Sequence, residues 1–454
     1  MFYNRVEELR QLRTTLARKR SQLVVLYGRR RCGKSTLIRH LLRPGDVYHQ
    51  AVVGDFNLHR DMLAHDLASR FPDMRTAAYR NWFDFFTALQ KRGGERFTLV
   101  LDEFPFLAEA SPSLPSILQR LLDRREELNF HLILCGSSQQ MMENTILSAT
   151  APLYGRADAV LKIQPLWAGY LQEHLPDVSA VDIVTEYSVW GGIPRYWELR
   201  DNYSSLAEAI QEMLLSPGGI LRDEPRRLLL EDLRNLVQPN TLLTFVAAGA
   251  HRLSEIGART QRTAAQLARP LNRLIELGVI NKETPFGTHQ RNTKQTLYYV
   301  SDHFLRFYHR FVLPASSQIA MQQREVVWND LLPQLPAFTT QSWEELCRQA
   351  VLGGLLPEVN FQECKRWWGK TKSGKPVEID LVARSTDGQT LLLGECKWSK
   401  SVDLNRLHFR LTDLAKDLPF YRGESIQTRV FAQEGGDIGP EQVLAALRSS
   451  TKAN

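Results

Sequence analysis

The 454-residue chain lacks the features that commit a sequence to a disulfide framework, a zinc site, the secretory route or the membrane. Its five cysteines, Cys32, Cys135, Cys347, Cys364 and Cys396, include no pair at C-x-x-C spacing, and no histidine pair completes a zinc pattern. An odd cysteine count in a long chain reads as reduced thiols in a cytosolic protein. The first twenty residues, MFYNRVEELRQLRTTLARKR, hold no apolar h-region, so no signal peptide is expected. No stretch approaches the roughly 20 apolar residues of a membrane span. Internal repeats, long low-complexity segments and a long basic tail are missing as well. The expected location is therefore the cytoplasm, with no membrane partner.

What is present is an ordinary globular composition, 43% apolar and 24% charged. At about 150 residues per domain the length suggests three domains, each long enough to bury its own core. A net charge of +7 and a pI of about 9.1 permit contact with an anionic partner but do not establish one. Over the first 165 residues strands alternate with helical patterns. Ser21 to Tyr27, Arg96 to Leu101 and His131 to Cys135 are short, apolar, β-branched runs, as buried strands are. Buried strands separated by helices predict an α/β fold with a parallel sheet and helices on both faces.

The run Gly28-Arg29-Arg30-Arg31-Cys32-Gly33-Lys34-Ser35 fits G-x-x-x-x-G-K-S/T between a strand and a helix, with Thr36 next in the helix. The glycines let backbone N–H groups close around a phosphate. Lys34 reaches the β- and γ-phosphates of a nucleotide, and Ser35 offers its hydroxyl to Mg²⁺. The helix that starts there turns its positive dipole end to the anion. A second strand ends in Asp102 and Glu103; Asp102 is expected to hold the Mg²⁺ ion and Glu103 to orient or polarise the attacking water. A third strand ends in Ser137 and Ser138, either of which is placed to sense the γ-phosphate, although Gly and Ser also suit a plain turn. ATP and Mg²⁺ are the cofactors these residues imply.

YGRRRCGKS, LVLDEFPFL, LCGSS and Pro152-Leu153-Tyr154-Gly155-Arg156 together resemble the archaeal-type ATPases, members of the AAA+/STAND class of P-loop switch ATPases. Phe2, Arg5, Glu8 and Leu9 match that group's N-terminal F-x-x-R-x-x-E-L pattern, which flanks the adenine, so Arg5 is implied to be a nucleotide-site residue. Gly191-Gly192-Ile193-Pro194-Arg195-Tyr196 matches the GGIP-type motif of its lid. The resemblance implies that Pro194 approaches the nucleotide. It also implies that Arg156 senses the γ-phosphate or acts as an arginine finger, in its own subunit or a neighbour. Ala157 stands where relatives often keep a second basic residue, which speaks against a paired cationic sensor.

The rest of the chain divides by pattern. The segment 1–165 is the ATPase core and 166–235 a helical lid. Residues 236–314 read as helix, turn, helix and two-stranded wing, a winged-helix order, with the pattern over Thr260 to Leu277 interrupted at Pro270 and strands at Val279 to Thr284 and Thr296 to Val300. Arg259, Arg262, Arg269 and Arg273 can face phosphates there, or the module packs on the ATPase core and moves with nucleotide state. His303, Phe304, Phe307, Tyr308 and Phe311 recur at helical spacing, as core residues do. Residues 315–337 read as a connector containing Pro333 and Pro336.

In 338–454 an Asp on one strand, Asp380, is followed after a hairpin-length interval by Glu395-Cys396-Lys397. Strand alternation turns Glu395 and Lys397 to one side, and Asp380 can join them from the next strand. Two carboxylates can hold Mg²⁺ beside a scissile phosphate, with Lys397 orienting the activated water. This arrangement resembles the PD-(D/E)xK restriction-endonuclease-like fold, which often ends archaeal-type ATPases. By that resemblance Trp343-Glu344 matches the aromatic-Glu pair of the first helix and Glu344 is a third metal ligand. Trp367, Trp368 and Lys370 offer stacking and charge to nucleic acid, unless the tryptophans simply pack.

These readings predict an ATP-binding and hydrolysing switch enzyme that controls a Mg²⁺-dependent nuclease-like domain acting on nucleic acid, DNA being the first candidate. Self-association or a protein partner stays open. The rival readings are a signalling or scaffold ATPase whose C-terminal domain does not cut, and a nucleotide-responsive regulator that binds DNA through the winged helix.

Overall fold

In a computed structural model of the chain, residues 3–230, 233, 235, 237–288 and 295–449 are described. They fall into two compact units. One comprises Met1–Pro165 with Ile193–Arg195 and Glu231–Arg234; the other comprises Leu166–Gly192, Tyr196–Leu230 and Asn235–Asn454.

The first unit is built on five strands, β1 (Leu23–Tyr27), β2 (Val47–Gln50), β3 (Phe97–Asp102), β4 (Phe130–Gly136) and β5 (Ala159–Lys162). They pair in the order β2-β3-β4-β1-β5, every pair parallel. β3 and β4 are buried along their whole length, which is why they read as unbroken apolar runs and not as alternating ones. Phe85, Phe86, Phe97 and Phe130 join edge-on or tilted ring to ring between sheet and helices. The strand order has one functional consequence. β4 is inserted between β1 and β3, with Tyr27 beside Gly136 and Leu101 beside Leu134. The segments that follow Tyr27, Leu101 and Gly136 therefore emerge side by side at the carboxyl edge of the sheet, where open α/β sheets bind ligands.

Gly28 marks that edge. Its φ is +150°, and a Cβ there would lie 2.4 Å from the Ile163 carbonyl oxygen at the end of β5. Gly28→Ala is therefore expected to cost about 2–4 kcal/mol in the first unit, combining overpacking with an unfavourable φ. Thermal melting followed by circular dichroism should show the drop; an unchanged melting temperature would contradict the close approach.

The second unit carries a four-stranded mixed sheet, β8 (Phe361–Lys370), β9 (Pro376–Ser385), β10 (Thr390–Lys397) and β11 (Ser425–Ala432), in the order β11-β10-β9-β8. Only the β10–β11 pair is parallel. A small antiparallel hairpin, β6 (Ile280–Glu283) with β7 (Leu297–Val300), follows the helices Leu253–Thr260 and Ala264–Glu276. Phe286, just after β6, shares the apolar core of the larger sheet with Trp367, Ile379 and Leu393. The helix Ala168–His174 lies against the last helix, Pro440–Ser449, with Tyr170 donating to the Arg448 carbonyl at 2.8 Å.

One expectation needs correction. Pro270 does not interrupt the pattern: it lies inside one helix, Ala264–Glu276. Its missing N–H leaves only the carbonyl of exposed Gln266 without a helical partner, which water can serve, while buried Leu267, Leu271 and Leu274 hold the helix to the core. Residues 315–337 are largely helical. They contain the helices Ser316–Ala320 and Arg324–Leu331 and the start of Leu335–Leu352. Pro336 stands in the first turn of that last helix, where a proline breaks nothing.

Candidate functional site

The phosphate loop runs from the end of β1 into the helix Lys34–Leu41. Gly33 caps that helix with φ +88°, a left-handed conformation glycine adopts without strain. Arg31 takes φ +68°, a strained value for a residue with a side chain, of the kind found where a backbone is shaped around a ligand. Arg30 is exposed, Arg29, Arg31, Ser35 and Thr36 are half-buried, and Cys32 is buried, its thiol pushed above the ordinary range by burial. The Lys34 ammonium donates to the carbonyls of Gly28 at 2.7 Å and Arg29 at 3.1 Å. It therefore sits inside the loop, against the backbone an anion would approach. Arg5 braces the same loop: it is 5% exposed and donates to the Cys32 carbonyl at 3.1 Å, the Gln164 carbonyl at 2.6 Å and Glu8 at 2.9 Å. Its guanidinium ties the loop to the segment that follows β5. Phe2, of the same N-terminal pattern, lies outside the described residues.

Next to the loop, Asp102 accepts from the Ser35 hydroxyl at 3.0 Å, from the Tyr48 hydroxyl, and from the Glu103 N–H at 2.9 Å. Tyr48, on β2, was not singled out from the sequence; burial first, then its bond to Asp102, pushes its phenol far above the usual value. Glu103 adopts φ +51° and accepts from both the N–H and the hydroxyl of Ser137, at 3.2 and 3.1 Å. Ser138 instead caps the helix Gln139–Met142, its hydroxyl accepting from the Met141 N–H at 3.2 Å. Of the two serines, Ser137 is the one joined to the acidic strand end.

The chemistry of this group fits MgATP. A hydroxyl and a carboxylate in contact are hard oxygen ligands suited to Mg²⁺, and a buried ammonium on loop carbonyls has the charge a terminal phosphate needs. Pro194 stands over the loop, its Cγ 4.0 Å from where a Gly33 Cβ would be.

Arg156 is not brought to this place. Asp158, two residues on, donates its N–H to the Leu23 carbonyl at 2.7 Å and accepts from the Leu23 N–H at 2.9 Å through its carboxylate, at the start of β1 and the opposite edge of the sheet. Five residues of strand separate that edge from the loop, roughly 13 Å or more. The guanidinium pairs with Asp123 at 2.9 Å and with the Pro152 carbonyl at 3.1 Å. A sensor of the γ-phosphate in its own subunit is thus corrected by the geometry, because the motif follows its helix to the amino edge of β5.

In the second unit, β9 and β10 pair so that Gly394 faces Leu381 and the Cys396 N–H donates to the Asp380 carboxylate at 2.9 Å. Glu395 is 4% exposed. Its Oε1 accepts from Lys397 at 2.6 Å and from Arg410 at 3.0 Å, while Oε2 is buried with no hydrogen-bond partner among the described residues. Burial first, then Glu395, raises the Asp380 carboxyl above its ordinary range. Burial lowers the Lys397 ammonium, but the bond to Glu395 outweighs it and the group ends raised. Glu344 is pushed up to about 7 by burial and by Asp380. Its carboxylate lies 3.7 Å from Arg348 and 3.8 Å from Arg366.

Among the described residues no three acidic, histidine or cysteine side chains converge on one cation position. Glu344 is drawn toward the two arginines and is not part of a three-carboxylate group. Asp380 with the orphaned Glu395 oxygen fits one Mg²⁺ that keeps most of its water. Arg348 stands at i,i+4 spacing from Glu344 on one helix, a pair the sequence could have shown, whereas Arg366 and Arg410 reach these carboxylates through tertiary contacts alone. Trp367 and Trp368 are 4% and 7% exposed and pack in apolar clusters, so neither offers a stacking face.

With these arrangements in place, comparison with known proteins adds the following. Residues 2–199 match the family described as "ATPase domain predominantly from Archaea", and residues 308–408 a family described as "Archaea bacterial proteins of unknown function". An uncharacterized protein of Methanocaldococcus jannaschii is 29% identical over 414 residues, covering 90% of each chain. The solved Walker-type ATPase of Pyrococcus abyssi is 20% identical with a TM-score of 0.50, covering 68% of this chain and 96% of its own. The ORC2 protein of Aeropyrum pernix is 16% identical with a TM-score of 0.44, covering 73% of this chain and 95% of its own. No helix among the described residues is long and apolar enough to cross a membrane. From the loop after β1, the carboxylates after β3 and the match over residues 2–199, the chain is an ATPase of the P-loop type.

Proposed function

We propose that this chain is a cytoplasmic switch ATPase of the AAA+/STAND kind whose nucleotide state controls a Mg²⁺-dependent nuclease-like domain acting on nucleic acid, DNA first. In this reading 166–235 is the lid, 236–314 a winged helix and 338–454 a PD-(D/E)xK domain. The terminal phosphates of ATP enter the loop 28–35 and draw the Lys34 ammonium off the carbonyls of Gly28 and Arg29. Ser35 and Asp102 would hold the Mg²⁺, which neutralises charge developing on the transferring phosphoryl group. Glu103, released from Ser137, orients the attacking water and takes its proton. Hydrolysis then resets the loop, and the two nucleotide states differ in what they favour elsewhere in the chain.

The observation that carries the nuclease half is the orphaned, buried Glu395 oxygen beside Asp380, with Lys397 on the same strand. A buried carboxylate oxygen left without a partner is costly, and a bound cation would complete it. Plasmid and single-stranded DNA incubated with Mg²⁺ or Mn²⁺, with and without ATP, supply the test. Cleavage by the wild type is expected, falling roughly 10²–10³-fold in Asp380→Ala because the metal contribution is lost. Lys34→Ala should remove only its dependence on ATP. If neither DNA nor RNA is cut under any condition, the nuclease reading fails.

A second reading, a scaffold ATPase with a non-cleaving C-terminal domain, is favoured by one feature. Lys397 and Arg410 already place two cations on Glu395. Exposed Arg259, Arg262 and Arg269 would serve a regulator that binds duplex DNA; its mark would be binding with a steep salt dependence, lost on changing Arg262.

A further inference from the structure

Within the second unit the hairpin β6–β7, the helix Leu335–Leu352 and β8 enclose a cavity of about 310 Å³. That lies at the small end of the range for metabolite pockets. Neither Asp380 nor Glu395 lines it, so it is separate from the carboxylate cluster. The helix contributes Gln341, Glu345, Arg348, Gln349 and Leu352, spaced to share one face.

The charge of the lining is positive. Lys282, Arg348, Lys365 and Arg366 stand against Glu283 and Glu345. Three lining residues also hold a buried polar atom with no hydrogen-bond partner among the described residues: the Thr284 hydroxyl, Arg366 Nε and Gln349 Oε1. Thr284 is only 4% exposed. The terminal nitrogens of Arg366 are occupied, one by the Tyr299 hydroxyl at 2.7 Å and one by Glu378, while its Nε makes no hydrogen bond and lies 3.8 Å from the Glu344 carboxylate. Buried polar groups are nearly always satisfied, so three around one cavity call for an occupant that completes them. Two of the three can donate and one accepts. Arginines offer oxyanions directional, charge-assisted bonds.

We infer that this cavity binds a small phosphorylated metabolite. The phosphate meets Arg348, Arg366, Lys282 and the Thr284 hydroxyl, and a hydroxyl of the remainder donates to Gln349 Oε1. The same two guanidiniums lie 3.7 and 3.8 Å from Glu344, so an anion in the cavity and the carboxylate cluster draw on the same cations.

The test uses the full chain carrying Lys34→Ala, so that the nucleotide loop does not compete. Inorganic phosphate and ribose 5-phosphate are titrated by calorimetry. Saturable binding of at least one is expected, weakened about tenfold or more by Thr284→Val and by Lys282→Glu, as loss of one charge-assisted bond requires. Thr284→Val removes a hydroxyl at nearly constant volume and should leave the melting temperature no lower, which separates a lost ligand contact from a lost fold. Absence of saturable binding at millimolar concentration, or binding undiminished in both variants, overturns the inference.

Discussion

Lys34→Ala is expected to weaken MgATP binding by roughly 10–150-fold and to bring hydrolysis to background. The ammonium is the one buried cation inside the loop, 6% exposed and bonded to two loop carbonyls. Each charge-assisted bond it would make to phosphate contributes about 1.5–3 kcal/mol, which sets the lower and upper bounds on affinity. In the transition state the loss grows further, because negative charge on the transferring group increases where the ammonium would sit; removing one such donor typically lowers turnover about 10²–10³-fold. The fold should survive, since alanine suits a first helical turn. Calorimetric titration with MgATP and phosphate release read the two effects. Wild-type affinity in a folded Lys34→Ala protein would mean that the nucleotide binds elsewhere.

Glu103→Gln should separate binding from chemistry. The side chain keeps its length and can still meet Ser137, but an amide cannot accept the proton of an attacking water. Turnover is expected to fall about 10²–10⁴-fold, the usual contribution of a positioned general base, with nucleotide affinity preserved. The geometry adds a further expectation. Glu103 is held by two bonds from Ser137, which in the proposed mechanism break when ATP binds. Ser137→Ala should therefore alter turnover far less than Glu103→Gln does. Steady-state phosphate release set beside fluorescent-nucleotide titration decides it, and a Glu103→Gln protein that hydrolyses ATP at the wild-type rate would remove Glu103 from the chemistry.

Much of the nucleotide half was readable because its signals are local. A phosphate loop needs glycine, lysine and serine at fixed spacing, and both faces of a buried parallel strand must be apolar. The α/β fold with its parallel sheet was legible for that reason. The order of the strands was not: nothing local in Phe130–Gly136 announces insertion between β1 and β3, yet that insertion brings Ser137 to Glu103. Arg156 shows the limit of motif reading. A motif says that an arginine follows a turn, but not which edge of the sheet the turn occupies. Pro270 was expected to interrupt the helical pattern, but one stripe of leucines suffices to keep a proline inside a helix. In the C-terminal sheet strand alternation was enough to place Glu395 and Lys397 together, and register then brought Asp380. Of the four cations around those carboxylates, Lys397 and Arg348 each share an element with their partner, while Arg366 on β8 and Arg410 on the helix Leu404–Ala415 arrive from elsewhere, and no sequence spacing reveals those two.

The account rests on terminal phosphates occupying the loop between β1 and its helix. A crystal structure of the full chain grown with Mg²⁺ and a non-hydrolysable ATP analogue tests this most directly. The predicted result is a triphosphate enclosed by residues 28–35, with the Lys34 ammonium moved from the Gly28 and Arg29 carbonyls onto phosphate oxygens. A nucleotide bound elsewhere, with Lys34 still on those carbonyls, would contradict it.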